Sequence, residues 1–332
     1  MKNKLILFSC LLFSVAVIAQ NNTTSVTWTK VDMNISAQKF VPRELFKIND
    51  STLYLGSRFY LSKVSTDELD VQFEAPSTKH VIRGVVNYNN TTYISVSDSS
   101  VFFKTENEDW TDMLLDQPSK VYYGWEMTEY KSELISTAWP RWISVYNFET
   151  QSWSSSDMLD RRGAGYISDF TQTNTDLFVS LYGGGVFKKA QRYDDWINCN
   201  KGLTGNLNIR SVLAVNNQLL FVATEKGIYY SNASKIKWKP CTQTQNKNIK
   251  FVDLMYHNGT LYTTGVDGEF MYSKDLGKTW IQIFINNATG YVLYSVEVIG
   301  DDFYFSADGQ GKKPSGVFTI SIADVLLLGE KK

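Results

Sequence analysis

The stretch FVDLMYHNGTLYTTGVDGEFMYSKDLGKTW, residues 251–280, contains the pattern that decides the fold. Short runs rich in apolar residues follow one another, separated by the turn signals Asn258-Gly259, Gly268 and Gly277. Such runs predict β-strands, and Asn-Gly between two of them predicts a tight hairpin. No part of the stretch has the period of a useful helix, and it ends at Trp280.

The same unit recurs along the chain, and tryptophans measure its period. Successive spacings are 43, 43, 42 and 42 residues for Trp110, Trp153, Trp196, Trp238 and Trp280. A short apolar run precedes each Trp at a constant offset, and a second run lies upstream of the first. A repeat of about 42 residues with four strands is typical of a β-propeller. Aromatic residues make up 14% of the chain, which fits sheets better than helices.

Counting the repeats predicts an all-β fold, a seven-bladed β-propeller of four-stranded blades. Its inner strands would begin near Val41, Val81, Tyr122, Tyr166, Ile209, Lys250 and Tyr291. The last repeat ends at residues 316–320 without a Trp-bearing strand, whereas residues 25–29 form a spare one around Trp28. We therefore expect this N-terminal strand to close the last blade and to pair its open edge.

The two ends of the chain differ from the repeats. Lys2 and Lys4 precede an apolar run at residues 5–18, and Ala19 completes a cleavage site of the secretory type. That run is short for a membrane span. We expect a signal peptide at 1–19, one propeller domain at 20–322 and a short tail at 323–332, with export to the periplasm, the cell surface or the medium.

The charge balance limits the classes of partner. The chain has 33 Lys and Arg against 34 Asp and Glu; without the two leader lysines the counts are 31 and 34, a net charge of −3. This balance offers no basic surface for nucleic acid or for an anionic membrane. We expect a monomer with no nucleic-acid partner and no membrane insertion.

Two cysteines remain after the leader, and the repeat places them. Cys199 and Cys241 each follow a repeat Trp by three residues, so they occupy equivalent positions in neighbouring blades. Such positions on outer strands are too far apart for a disulfide, whose Cα atoms lie about 5.5–6 Å from each other. We expect the two thiols not to be bonded to each other, although export would permit a disulfide.

One hairpin carries a recognisable motif. Residues 273–280 fit S-x-D-x-G-x-T-W, and residues 231–238 keep a degenerate copy. The motif resembles the Asp-box of the BNR-repeat propellers, a group that includes sialidases, sortilin-like receptors and photosystem II assembly factors. The resemblance implies a propeller in which this hairpin joins the third and fourth strands, away from the ligand face. Its structural residues would be Ser273, Asp275, Gly277 and Trp280.

Catalytic signals are sparse. His80 and His257 are the two histidines and belong to different repeats, so neither a histidine metal site nor a Ser–His–Asp arrangement is indicated. Resemblance to sialidases would imply an arginine triad, a Tyr/Glu nucleophile pair and an acidic Asp. Their Arg-Ile-Pro hallmark is replaced here by Val41-Pro42-Arg43, in reversed order. We expect no metal and no cofactor.

Three arginines are candidates for ligand binding. Arg43, Arg83 and Arg210 recur at the start of the innermost strand of three repeats, which would place them around a central channel. Guanidinium groups there suit a carboxylate or sulfate. Alternatively, they pair with neighbours such as Glu44 or Asp169 and line a hydrated channel.

The loops between strands two and three supply a second set of candidates, on the face we call the top. Trp139 and Trp142 flank Arg141, an arrangement that suits a stacked sugar or a gripped peptide. Alternatively, Trp142 packs between blades and Trp139 covers it. Arg58 and Tyr182 lie on the same face.

These observations favour an exported, non-catalytic binding or scaffold propeller that recognises a protein or a glycan through its top face. The alternative is a glycan-active hydrolase or lyase of sialidase-like type that uses top-face carboxylates and Tyr, and a structural assembly factor is a third hypothesis. Enzymatic activity is therefore left open by the sequence.

Overall fold

The computed structural model of the chain describes residues between 25 and 329, with gaps. The described ranges are 25–31, 42–57, 61–65, 72–73, 81–97, 100–105, 108–113, 122–139, 142–157, 165–189, 196–203, 205, 207–244 and 248–329. The expected signal peptide and His80 lie outside these ranges.

The described residues form strands almost throughout. In the N-terminal half the strands are β1 Ser25–Val26, β2 Thr29–Lys30, β3 Pro42–Asn49, β4 Thr52–Ser57, β5 Leu61–Ser65, β6 Gln72–Phe73, β7 Ile82–Tyr88, β8 Thr91–Val96, β9 Val101–Thr105, β10 Thr111–Asp112, β11 Tyr122–Tyr130, β12 Glu133–Trp139, β13 Trp142–Asn147 and β14 Ser152–Asp157.

The C-terminal half continues the pattern. Its strands are β15 Tyr166–Gln172, β16 Leu177–Tyr182, β17 Gly185–Lys189, β18 Trp196–Asn198, β19 Ile209–Val215, β20 Leu219–Thr224, β21 Gly227–Asn232, β22 Lys235–Pro240, β23 Phe251–His257, β24 Thr260–Gly265, β25 Phe270–Ser273, β26 Ile281–Ile285, β27 Val292–Ile299, β28 Asp302–Asp308 and β29 Gly316–Ser321. A 3₁₀ turn spans Thr242–Thr244, and a helix, α1, spans Ile322–Gly329.

The strands assemble into antiparallel sheets, as expected for a propeller, but the blades are not uniform. Six sheets have four strands; they begin on β3, β7, β11, β15, β19 and β27, and the last of these takes β2 as its outer strand. The sheet that begins on β23 has five strands. The prediction of seven four-stranded blades is therefore wrong: the described residues form six such blades together with the five-stranded sheet.

The N-terminal segment causes this difference, because it is divided between two sheets. Ser25 and Val26 pair in parallel with Phe284 and Ile285 of β26, which adds the fifth strand. Thr29 and Lys30 then pair antiparallel with β29 and complete the outer edge of the last sheet. Alternating strand patterns predict antiparallel neighbours, so a two-residue parallel pair left no sequence signal.

The innermost strands of the sheets form a closed ring. Each contacts the inner strand of the next sheet, from β3 through β7, β11, β15, β19 and β23 to β27, and β27 contacts β3. The chain thus encloses a central channel lined by first strands, as the repeat predicts for a propeller.

Hairpin turns between first and second strands follow the predicted chemistry. Both central residues have positive φ at Asn89-Asn90, Asn216-Asn217 and Asn258-Gly259. Two positive φ angles define a type I′ turn, whose twist matches the flanking strands. Asn and Gly tolerate this left-handed conformation better than other residues do.

The hydrophobic core lies between sheets rather than in one central mass. Second strands are the most buried, and every residue of β24 is buried. Trp280 is buried against Phe221 and Ile228 of the preceding sheet, and Trp238 packs in the same way against Phe178. The regular Trp spacing therefore reflects one inter-sheet contact repeated along the chain.

Both cysteines are free and buried, in two different core clusters. Burial raises the pKa of the Cys241 thiol to about 12. Among the described residues, no helix is long and apolar enough to cross a membrane.

Candidate binding site at the central channel

A β-bulge interrupts the inner strand of each sheet near its start. The pairing register shifts after Pro42, Ile82, Tyr123, Ile167, Ile209, Phe251 and Leu293. In five of the strands the register skips one residue at this shift: Arg43, Arg83, Ser168, Arg210 and Tyr294. A bulge re-aims a side chain, and all five of these residues line the channel.

The channel contains a cavity of about 530 Å³, lined by residues of all seven inner strands. Two groups of lining residues differ in their chemistry. The first, which we call the mouth, consists of Arg43, Arg83, Tyr166, Tyr182, Arg210 and Tyr294. The second, the acidic belt, consists of Glu44, Glu126, Asp169 and Asp253.

Aromatic rings support two of the mouth arginines. The Arg43 guanidinium lies 4.5 Å from the ring centre of Tyr294, and that of Arg210 lies 5.2 Å from the ring centre of Tyr182. Tyr182 is itself stacked on Tyr166, with ring centres 5.2 Å apart. Cation–π contacts of this kind restrain an arginine without consuming its hydrogen-bond donors.

Glu225 anchors one side of the mouth. It lies between β20 and β21, and its carboxylate accepts hydrogen bonds from Tyr182 Oη at 2.8 Å, Asn208 Nδ2 at 3.1 Å and Arg210 Nη2 at 3.3 Å. Partial burial opposes ionisation of Glu225, but these bonds outweigh it and leave its pKa below the ordinary value. Glu225 is therefore a stable anion that holds Tyr182 and Arg210 in place.

The acidic belt lies beside the arginines. Its four residues are half-buried, because part of each side chain faces the cavity. The rest of each carboxyl is surrounded by protein and is poorly solvated. Burial raises the pKa of Glu44 to about 8, of Asp169 to about 7 and of Asp253 to about 6, and it raises the pKa of Glu126 well above its usual range. Desolvation disfavours the charged form of each carboxyl.

Two belt residues also join neighbouring sheets. Asp169 Oδ2 accepts hydrogen bonds from Ser211 Oγ at 2.9 Å and Val212 N at 2.8 Å. Asp253 Oδ2 accepts one from Val296 N at 2.9 Å. Each bond crosses from one inner strand to the next, so these two aspartates have a structural role.

The structure brings together four of the candidates named from the sequence. Arg43, Arg83, Arg210 and Tyr182 all line the cavity. The alternative, in which these arginines pair with neighbouring acids, holds in part. Arg210 forms an ion pair with Glu225 at 3.3 Å, and the charge of Arg83 acts on Glu44.

Of the remaining candidates, the structure describes the side chain of Trp142 alone. Arg58 and Arg141 lie outside the described residues, as does the side chain of Trp139. Trp142 begins β13, is half-buried and does not line the cavity. The pairing of Trp139 and Trp142 around Arg141 therefore stays a prediction.

The Ser273–Trp280 hairpin is held by its own side chains. Asp275 accepts hydrogen bonds from Ser273 Oγ, Thr279 N and Thr279 Oγ1 at 2.7–2.8 Å. Gly277 has a φ of 83°, and its N–H donates to Ser273 Oγ at 2.8 Å. Trp280 Nε1 donates to Gly277 O at 3.1 Å. None of these residues lines the channel cavity.

Metal-binding geometry does not appear in the described part of the chain, where no group of three or more His, Cys, Asp and Glu could hold an ion. His257 Nε2 accepts a hydrogen bond from Asn258 Nδ2 at 2.9 Å.

Sequence reasoning missed part of the mouth and of the belt. Tyr166, Tyr294 and Glu126 were not singled out, because a charged or aromatic residue on a first strand resembles any exposed strand residue. One signal was available: Asp169, Ser211, Asp253 and Ser295 recur at intervals of 42 residues. Polar residues at a constant position of the inner strand indicate an inter-sheet hydrogen-bond network.

Comparison with known proteins identifies the fold. No protein-family model matches the sequence, and a search of curated proteins found no match. Among solved structures, the chain resembles catalytically inactive virginiamycin B lyase from Staphylococcus aureus with quinupristin, at a TM-score of 0.72 and 11% identity over 89% of this chain and 98% of that one.

Two further structures are similar. YCF48 bound to D1 peptide has a TM-score of 0.68 and 12% identity over 91% of this chain and 96% of that chain. The extracellular domain of the two-component system BT4673 from B. thetaiotaomicron has a TM-score of 0.69 and 16% identity, covering 89% of this chain and 39% of that chain. At these identities the likeness shows a β-propeller and nothing more.

Proposed function

We propose that this chain is a non-catalytic binding propeller whose mouth grips a carboxylate of a protein partner. The convergence of Arg43, Arg83 and Arg210 from three sheets on one cavity carries this proposal. Arginine presents its N–H groups in a planar fork that matches a carboxylate. The stacked tyrosines and Glu225 hold Arg210 in position before the ligand arrives, and preorganisation lowers the cost of binding.

A peptide ligand suits the mouth better than a neutral sugar. The faces of Tyr182 and Tyr294 are already used by arginines, so little flat aromatic surface is left for a sugar ring. A propeller of similar fold, YCF48, has been solved bound to a peptide, which supports this choice. Glycan binding through Trp139 and Trp142 is the competing outcome.

Export and family membership belong to the same proposal. The apolar leader before Ala19 and the Asp-box resemblance of residues 273–280 support an exported member of the BNR-repeat propellers. In that setting the partner is another exported or surface protein.

Capture of ligand pools by the immobilised mature chain tests the proposal. Three pools are offered: N-acetylated tripeptides with free carboxylates, the same tripeptides as C-terminal amides, and acidic oligosaccharides with neutral counterparts. We expect retention of the free-carboxylate peptides, and loss of that retention in Arg83→Ala and Arg210→Ala. Lys237→Ala, on the exposed outer strand β22, is the matched control for removal of a cation.

The outcomes separate the hypotheses. Equal retention of peptide acids and amides would exclude a carboxylate grip. Retention of oligosaccharides alone would replace the protein partner with a glycan, and no retention of any pool would end the proposal.

One observation favours a second candidate, the sialidase-like hydrolase. Tyr182 Oη and Glu225 Oε1 are 2.8 Å apart beside Arg210, which is the pairing a tyrosine nucleophile requires. The acid–base properties oppose it: burial raises the pKa of Tyr182, and Glu225 is held as a weak base. Release of free sugar from sialylated oligosaccharides, abolished in Tyr182→Phe, would establish the hydrolase instead.

A further inference from the structure

Two glutamates of the acidic belt interact with each other in the channel. Glu44 lies on β3 and Glu126 on β11; both line the cavity, and their carboxyls are close enough to share a hydrogen bond. Two carboxylates offer acceptors only, so a hydrogen bond between them requires a proton on one of them. Oε2 of Glu44 is buried and receives no hydrogen bond from a described N–H or hydroxyl group. A proton on at least one of the two carboxyls therefore allows this contact without repulsion between two anions.

The charges that face this pair come from three other inner strands. Arg83 on β7 favours ionisation of both glutamates. Asp169 on β15 opposes ionisation of both, and Asp253 on β23 opposes that of Glu44. Burial is the largest influence and also favours the neutral form, so the pKa of Glu44 is raised to about 8.

Arg83 connects this pair to the mouth. It belongs to the arginines proposed to grip the ligand. Its positive charge also lowers the pKa of both Glu44 and Glu126. A ligand carboxylate placed on Arg83 would offset the field of that guanidinium at Glu44 and Glu126. The glutamates would then be less easily ionised and would take up protons.

We propose that the mouth binds its carboxylate ligand together with a proton that the Glu44–Glu126 pair takes up, so that the ligand is held in mildly acidic surroundings and released in alkaline ones. This coupling rests on the proposed function and adds its regulation. Because linkage is reciprocal, a ligand that promotes protonation of the pair binds more tightly when the pair is already protonated.

Glu297 provides a matched control within the same channel. It lines the cavity from β27, and burial raises its pKa to about 8, like that of Glu44. The charges that act on it are those of Asp253 and Lys47, not of Arg83. The pKa of Glu297 is therefore raised into the same range, but none of the arginines proposed to bind the ligand acts on it.

The test measures retention of the N-acetylated free-carboxylate tripeptide pool by the immobilised mature protein at pH about 9 and about 6, where the peptide carboxylate itself stays ionised. We expect retention to rise about tenfold on acidification in the wild type and in Glu297→Gln. Glu44→Gln/Glu126→Gln, in which the pair is neutral throughout, is expected to retain the pool strongly at both pH values. The amidated pool measures background at each pH.

The results distinguish the two proposals. Retention that does not change with pH in the wild type, or a double variant that responds to pH as the wild type does, would overturn the coupling while leaving carboxylate binding intact. If neither the wild type nor the double variant retained the peptides at pH about 6 or at pH about 9, carboxylate binding would be overturned, and the coupling with it. Circular dichroism checks the fold of each variant, and the single variants Glu44→Gln and Glu126→Gln replace the double variant if it does not fold.

Discussion

The hydroxyl of Tyr182 donates a hydrogen bond to the carboxylate of Glu225 at 2.8 Å, and the two residues belong to neighbouring sheets, 43 positions apart in the chain. The same carboxylate oxygen accepts from Arg210 at 3.3 Å. One anion thus fixes an aromatic ring from one sheet and a cation from the next. The geometry of the mouth is a property of the folded chain and does not require a ligand to create it.

Replacing Glu225 by Gln should loosen this arrangement. The neutral amide cannot balance the Arg210 charge, so we expect affinity for carboxylate peptides to fall about tenfold, equivalent to roughly 1.4 kcal/mol. Peptide retention measures the effect, and thermal unfolding should change little. Glu269→Gln is the control, because that carboxylate accepts from Asp267 N within its own loop. An equal loss in both variants would contradict a positioning role for Glu225.

The Ser273–Trp280 hairpin should matter for stability alone. Asp275→Ala removes the acceptor of three hydrogen bonds in the turn, and we expect a loss of about 1–2 kcal/mol in the free energy of unfolding. Urea denaturation measures it. Peptide retention should equal that of the wild type, since the hairpin does not line the channel. A loss of binding by a fully folded Asp275→Ala would show that this hairpin takes part in recognition.

The stability of the fold should decrease toward alkaline pH. Burial raises the pKa of Glu44 and Glu297 to about 8 in the folded protein, whereas unfolded glutamates titrate near pH about 4.3. Between these values the folded state binds more protons, so the free energy of unfolding is largest at acidic pH and declines as pH rises through the folded pKa. We expect a decline of about 1 kcal/mol or more between pH about 6 and about 9.

Urea unfolding at a series of pH values measures this decline. Glu297→Gln should flatten it in part, because one of the titrating groups is removed. A free energy of unfolding that increased with pH over this range would contradict the acidic belt as described.

Trp28 should contribute to closure of the ring. Its ring stacks on Phe318 at 4.0 Å and meets Tyr291 edge-on at 5.1 Å. Trp28→Ala removes both contacts, and we expect a loss of about 2–3 kcal/mol in the free energy of unfolding, below that of a fully buried Trp. Trp142→Ala, at another half-buried Trp, allows comparison. Equal stability of Trp28→Ala and the wild type would show that the N-terminal segment adds nothing to closure.

The parts of the fold that repeat could be predicted from the sequence, and the parts that break the repeat could not. The spacing from Trp110 to Trp280 reports an inter-sheet contact made once per unit, so it predicted strands, turns and architecture. Ser25 and Val26 follow no period, because they pair in parallel with β26 at a point unique in the chain. That short segment is why the number of four-stranded blades was predicted wrongly.

The arginines of the candidate site could be predicted from the sequence, whereas Glu126 and the burial of the acidic residues could not. Arg43, Arg83 and Arg210 recur at one repeat position, which pointed to the channel. Glu126 belongs to a bulge that spans several residues, so its register cannot be counted from the repeat. Burial of its carboxyl depends on how closely the inner strands approach each other, which a strand pattern does not report.

The division of residues 25–31 between two sheets has a consequence for the order in which the chain can mature. Ser25 pairs with Phe284, and Thr29 with Thr319, so the first described residues find their partners only in the last two sheets. During synthesis this segment stays without its partner strands until almost the whole polypeptide is present. A chain interrupted before β29 would leave the edge of β28 uncovered and β2 without its partner strand, and quality-control proteases would meet it in that state.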